Sequence, residues 1–314
     1  MTIRPIQRAE IEVFARFSAD DDLNALFKDD MMRRWEEGAS RPEWCFVAEE
    51  HGQVVGCIGY WGLPAFSIPS VIEFLLLPWE GNYLEIGTAL LRQTLARFHA
   101  QGVQAMKYLL PIPSRLHAHP SQRVEVLEHV GFDLQRQGDR WERTDMAAPL
   151  VVSDRLVFRP LDDVGETAFI DAIQRVTVGT LDRGLRSDRE RLGPARAARE
   201  EFASAQAMRY EPTWWQLAYT HGGALVGLVM PAENDGGPII YYIGVVPEYR
   251  GQGYVDDLLT QGTTVLQEAG ATRIVADTDK VNIPMARAFE RAGYRRFLTR
   301  VAYAINLARL ATHP

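Results

Sequence analysis

Cysteine is nearly absent from this chain. Two residues in 314, Cys45 and Cys57, are too few for a disulfide framework or a four-cysteine metal site. They lie symmetrically about the His51-Gly52 turn, so they could face one another across a hairpin as a reduced, buried pair. No four-ligand metal spacing exists. His117 and His119 alternate on one side of an extended segment before Pro120, an arrangement expected of polar surface, and no metal is expected. Long apolar runs are also missing: none approaches the roughly 20 residues that span a bilayer. The start, Met1-Thr2-Ile3-Arg4-Pro5, reads as strand and lacks the apolar core of a signal peptide. These absences point to the cytoplasm and away from a membrane. An excess of positive charge is lacking too, with 34 basic against 41 acidic residues, a net charge of −7. That balance excludes the electrostatic footprint of a nucleic-acid binder. One stretch, 181–209, is locally basic, with seven arginines against five acids. It reads either as solvated helix with internal ion pairs or as a cleft wall that prefers an anionic group.

What is present is enough for two domains. The chain is 46% hydrophobic and 24% charged, as in globular proteins, and 314 residues can bury two cores. It also repeats itself in order. Ile3-Arg4-Pro5 matches Phe158-Arg159-Pro160. Phe46-Val47-Ala48 with Val55-Gly56 matches Leu217-Ala218-Tyr219 with Val226-Gly227. Leu76-Leu77-Pro78 matches Val245-Val246-Pro247, and Val130-Gly131-Phe132 matches Ala292-Gly293-Tyr294. Offsets of 155 to 171 that drift slowly indicate duplication of one α/β unit. Each copy reads as strand, one or two helices, hairpin, strand, turn, helix, strand, helix and closing strands. The expected domains are 1–145 and 152–314, with a connector near Thr144 to Ser153 that includes Met146-Ala147-Ala148-Pro149. Trp214 and Trp215 are expected to pack in a core or between the domains.

The chemistry is concentrated in the second copy. Ile239 to Val246 is rich in β-branched and aromatic residues, as a buried strand requires. It runs through Pro247-Glu248-Tyr249-Arg250-Gly251-Gln252-Gly253-Tyr254 into a helix expected from about Val255. Such a turn leaves the first N–H groups of the helix unpaired and adds the positive end of its dipole. Gly251 and Gly253 remove the Cβ atoms that would hold a ligand off those donors. The product is an anion cradle suited to a pyrophosphate. A dinucleotide fold is disfavoured, because Asp256 stands where its third glycine would be.

Downstream come a strand at Arg273 to Asp277, then Asn282-Ile283-Pro284-Met285-Ala286 and a helix closed by Gly293-Tyr294. This order resembles the GNAT family of acetyl-CoA-dependent N-acetyltransferases over residues 155–306, and its tandem plan is similar to that of mycothiol synthase. The resemblance implies an α/β (α+β) fold of two tandem GNAT-like domains, each a mixed, mostly antiparallel sheet flanked by helices. It implies acetyl-CoA as acyl donor, a primary amine, expected to be a small molecule, as acceptor, and direct attack in a ternary complex. The backbone from Gly251 through Gln252, Gly253, Tyr254 and Val255 to Asp256 would hold the pyrophosphate, with Arg250 before it. The strand at Ile243, Gly244 and Val245 would splay and pair with pantetheine, and an N–H near Val245 would meet the oxyanion. Asn282 would orient its segment beside the cofactor, or simply cap a helix. Asp277 stands where many members carry a catalytic glutamate, and being shorter would act through water; alternatively it caps a turn beside Asp279.

Two positions depart from the family. Phe289, on the cofactor side of the last helix, replaces a tyrosine that supplies a proton to the leaving thiolate, a role left to Tyr294 or water. Val255 replaces a glycine or alanine. In the first copy, Asn82 replaces the arginine, and Leu84 and Glu85 disrupt the cradle. A carboxylate there opposes a polyanion, so 1–145 is expected to be non-catalytic. The competing reading is a non-catalytic acyl-CoA sensor or assembly module. The fused halves would act as a monomer with an internal pseudo-dimer, or as a homodimer.

Overall fold

The structure is a computed structural model that describes residues 1–16, 20–62, 68–114, 117–148, 150, 153–234 and 236–312. Pro149, part of the expected connector, lies outside these residues. The chain divides into two compact units, Met1–Gln135 with Arg300–Pro314, and Arg136–Thr299. The second unit is one uninterrupted stretch, whereas the first adds a segment from the end of the chain to its N-terminal part.

In the first unit β1 (Thr2–Pro5) precedes α1 (Ile11–Ala15) and α2 (Asp21–Glu36). Then come β2 (Cys45–Glu50), β3 (Gln53–Trp61), β4 (Val71–Leu76), α3 (Tyr83–Ala100), β5 (Ala105–Ile112) and α4 (Pro120–Val130). Strand β6 (Asp133–Arg143) leads into the second unit. There β7 (Val157–Pro160) is followed by α5 (Leu161–Val176), α6 (Arg183–Leu192) and α7 (Pro194–Gln206). The series ends with β8 (Gln216–Tyr219), β9 (Leu225–Asn234), β10 (Gly237–Val245), α8 (Tyr254–Glu268), β11 (Ile274–Asp279), α9 (Ile283–Arg291) and β12 (Arg295–Asn306).

Strand order is β1-β2-β3-β4-β5-β12 in the first unit and β7-β8-β9-β10-β11-β6 in the second. β1-β2, β2-β3, β3-β4, β7-β8, β8-β9, β9-β10 and β6-β11 pair antiparallel, and β4-β5 and β10-β11 pair parallel. The closing strand of the first unit thus comes from the end of the chain. Val301, Tyr303 and Ile305 of β12 are buried in the core of α3, α4 and β5, whereas Trp141 of β6 is buried with α8 and α9. Among the described residues no helix is long and apolar enough to cross a membrane.

The repeat is visible in the irregularities as well as the order. β2 slips against β3 after Ala48, and β8 against β9 after Ala218. β4 carries an extra residue at Glu73 and β10 one at Tyr241. These bulges make Leu77, not Leu76, the counterpart of Val245; the one-residue insertion that the motif alignment absorbs falls after the strand.

The same slippage corrects the cysteine geometry. The hairpin turns at His51 and Gly52, both with positive φ, but Cys57 pairs with Val47 and Cys45 with Gly59. The thiols are free and buried in the cluster of Phe14, Phe27, Met31 and Phe74. Trp215 is fully buried, donates its ring N–H to the Pro231 carbonyl at 3.0 Å and stacks on Tyr210. Burial pushes both cysteine thiols up to about 12. A thiol reagent at pH 8 is therefore expected to leave the native protein unmodified and to titrate both cysteines on unfolding. Rapid reaction of either in the native state would contradict this packing.

Candidate active site

The site begins with a strand that loses one neighbour. β10 pairs with β9 from Gly237↔Asn234 to Val245↔Gly227. On its other edge it pairs with β11 only at Ile239↔Val275 and Ile240↔Ala276, although β11 continues to Asp279. The bulge at Tyr241 makes the break: Tyr242 packs against α5 and α7, and Ile243 and Val245 return to the side of α8 and α9. Among the described residues the strand edge from Tyr241 to Val245 has no strand partner.

Close packing fixes this geometry. A Cβ on Gly227 would lie 2.2 Å from the Gly244 carbonyl oxygen, and one on Gly244 would lie 2.9 Å from Val176. Beyond the strand, Pro247–Tyr249 forms a single 3-10 turn, and Gly251 (φ 74°) and Gly253 (φ 80°) take the left-handed conformation before α8. Among the described residues the amides of Gly251, Gln252, Gly253, Tyr254 and Val255 have no protein acceptor, while that of Asp256 bonds to the Gly253 carbonyl at 3.0 Å. The strand edge and these amides border one cavity of about 290 Å³.

Ile243, Gly244, Val245, Arg250, Gly251, Gly253, Tyr254, Val255 and Asn282 all line that cavity. Arg250 also acts as a clamp. Its Nε donates to the Val245 carbonyl at 3.0 Å, Nη2 to Val176 at 2.8 Å and Nη1 to Gly179 at 3.3 Å. The end of β10 is thereby tied to the C-terminus of α5, where a cation is favoured. Partial burial lowers the Arg250 pKa. Asn282 caps α9, its Oδ1 accepting from the Met285 N–H at 3.4 Å, and is among the residues lining the cavity.

Other expected residues lie off the cavity wall. Gln252 and Asp256 are not among the residues lining it. Asp277 sits on β11 opposite Arg140 of β6, its Oδ1 3.0 Å from the Arg140 Nε, and is 38% exposed. The turn after β11 is capped by Asp279, which accepts the Val281 and Arg183 N–H groups. Phe289 is a core residue, stacked on Trp141 and tilted against Tyr294. Tyr294 is itself buried, its hydroxyl 2.8 Å from Thr263, and burial raises its pKa. The tyrosines on the wall are Tyr242, Tyr249 and Tyr254.

The rest of the wall comes from the end of α5, from Leu181 and Leu185 of the 181–209 stretch, and from Pro284 and Met285 at the start of α9. In the basic stretch, Arg191 pairs with Asp188 and Arg196 with Glu200 within their helices, and Arg189 donates to Gln174 and Thr177.

The first unit has the same parting, filled from within. β4 pairs with β5 only at Val71↔Lys107 and Ile72↔Tyr108. Buried Arg123 of α4 then donates to the Leu75 carbonyl at 2.5 Å and the Tyr108 hydroxyl at 2.8 Å, with its guanidinium 4.4 Å from the Trp79 ring centre. No residue from Pro78 to Gly87 takes a positive φ.

A mixed sheet whose central strand parts from its parallel neighbour above a left-handed turn and helix start defines the GNAT acyltransferase fold. Residues 183–294, within the second unit, match the family described as Acetyltransferase (GNAT) family. The chain is 31% identical over 99 residues to a mycothiol acetyltransferase of Propionibacterium freudenreichii, covering 30% of this chain and 32% of that protein. It is 31% identical over 112 residues to the mycothiol acetyltransferase of an Arthrobacter species, covering 33% and 35%. The chain thus matches about a third of the length of these curated relatives. A GCN5-related N-acetyltransferase from Sphaerobacter thermophilus superimposes with a TM-score of 0.62 at 16% identity, over 98% of this chain and 95% of that one. At that identity the likeness concerns the fold.

Gly227→Ala tests the geometry directly. A methyl group 2.2 Å from a backbone oxygen must part β9 from β10. A loss of about 3 kcal/mol and a lower unfolding midpoint are expected in chemical denaturation; an unchanged midpoint would show that the strands can move apart freely.

Proposed function

We propose that the second unit is an acetyl-CoA-dependent N-acetyltransferase acting on a primary amine, by direct attack while donor and acceptor are both bound. The observation that carries this reading is the continuity of the unpaired β10 edge with five acceptor-free amides at the start of α8. An extended pantetheine can pair with the edge as an added strand, and the amides suit a diphosphate. Acetyl-CoA, when bound, supplies the activated acyl group as a thioester.

The chain's own part is to position, exclude water and move a proton. An amine with a pKa near ~10.4 is protonated at neutral pH and must lose its proton before attack. Asp277 is the proposed acceptor of that proton, through water, because its carboxylate beside Arg140 is 38% exposed. Leu181, Leu185 and Val176 give the cavity an apolar wall. The acceptor is proposed to be a small amine. The likeness to mycothiol acetyltransferases places their acceptor in any panel, beside other small amines, peptide N-termini and lysine side chains.

Acetyl-CoA at a hundredfold excess over its dissociation constant should raise the unfolding midpoint by about 5–10 °C, with thiol release dependent on the amine. Asp277→Asn should lower kcat about 100-fold or more while cofactor affinity is kept. A second reading, an acyl-CoA sensor, is favoured by one observation: Phe289 is buried where a proton-donating tyrosine would stand. Stabilisation without turnover on any amine, unaltered in Asp277→Asn, would support the sensor. No stabilisation at saturating acetyl-CoA would end both readings.

A further inference from the structure

The helix that opens the cradle begins with two carboxylates, Asp256 and Asp257. Like charges within a turn of a bound polyanion oppose it, so an acidic first turn is a poor place to hold phosphates unless something cancels the charge. Each carboxylate is met by an arginine distant in sequence. Arg291 of α9 donates to the Asp256 Oδ1 at 2.7 Å, and both side chains are solvent-exposed. Arg155, just before β7, donates from Nη2 to the Asp257 Oδ2 at 2.5 Å, and Asp257 is only 9% exposed.

Arg155 makes further contacts with the cradle. Its Nη1 donates to the Gln252 carbonyl at 3.2 Å, and its guanidinium lies 4.8 Å from the Tyr254 ring centre. Its Nη2 would be 3.8 Å from a Cβ on Gly253. One side chain thus touches the residue before the second cradle glycine, the first residue of the helix and the buried carboxylate of its first turn. The first unit supplies a comparison within the same chain. Glu80 and Glu85 flank the start of α3, and among the described residues neither has an ion pair.

We propose that Arg155 is a positioning residue for the diphosphate of the acyl donor: it cancels the charge of Asp257 and so lets the amides from Gly251 to Val255 act on an anion. This rests on the cofactor reading above. The chemistry it serves is recognition of a diphosphate by backbone amides, with the arginine behind the cradle as the counter-ion of a carboxylate.

Calorimetric titration of the full chain with acetyl-CoA, at low and at high salt, tests the assignment. Arg155→Ala should raise the dissociation constant at least tenfold at low salt, with a smaller change at high salt. Asp257→Asn added to that variant should restore affinity to within about threefold of wild type, because the charge that Arg155 cancels is then gone. Asp257→Asn alone should bind at least as tightly as wild type. If Arg155→Ala is too unstable to titrate, Arg155→Lys keeps the charge and should stay within about threefold of wild type, and Asp257→Asn alone remains decisive, since weaker binding by it overturns the proposal. Unchanged affinity in Arg155→Ala, or a loss that Asp257→Asn fails to restore, also overturns it. Absence of binding by the wild type removes the cofactor reading and this inference together; wild-type binding with an indifferent Arg155→Ala removes this inference alone.

Discussion

Between Tyr241 and Val245 the backbone of β10 has a strand on one edge and none on the other. Buried peptide groups left without partners are costly, so such an edge persists only where its surroundings impose it. Here several features do so together. The extra residue at Tyr241 turns the strand out of register. Gly227 and Gly244 let β9 and α5 come close enough that β10 cannot lean back towards β11. Arg250 then ties the end of the strand to the last carbonyls of α5. The open edge is the outcome of packing on its far side.

The first unit shows how little separates an open parting from a closed one. Its β4 has the same bulge and the same two parallel pairs before it leaves β5. Yet the Leu75 carbonyl is taken by Arg123, whose place in α9 is held by Met285. A methionine has no proton to donate, so the corresponding edge in the second unit stays free and Met285 becomes cavity wall. Arg123 also packs beside His117, whose pKa burial and that cation push down to about 4. His117 is therefore neutral at physiological pH and adds no second buried charge. The parting is a property of the duplicated fold, and in the first unit one arginine from the helix beside it occupies a carbonyl of the parted strand.

Local features of the site were legible in the sequence, because turn chemistry and periodicity are local. The strand runs to Val245 and the helix starts at Tyr254, and both glycines of Gly251-Gln252-Gly253 need the positive φ that their type suggests. The repeat was legible too, down to Gly56 and Gly227 as counterparts. What could not be read depends on contacts between distant residues. The exchange of β6 and β12 leaves the order of elements in each copy unchanged, so no pattern marks it. The pairing of Arg155 with Asp257 crosses 102 residues. The core position of Phe289 depends on Trp141 from another part of the chain. The cysteine geometry was missed because the turn at His51-Gly52 sets the first pair at Glu50↔Gln53 and an extra residue, Val55 in β3, shifts every later pair once more.

A cradle made of backbone has a consequence for how the site is maintained. Arg250, the conspicuous cation of the motif, spends its donors on three carbonyls, so grip on an anion falls to amides whose positions are set by where α8 rests on the sheet. That resting place is fixed by core residues: Leu258 and Leu259 are fully buried, and a Cβ on Gly262 would meet Val229 at 2.6 Å. Enlarging Gly262 would lift the helix from β9 and carry the amides with it, without altering any atom that faces the ligand. In this fold the depth of the cradle is a packing variable, and the residues that set it, Leu258, Leu259 and Gly262, do not line the cavity.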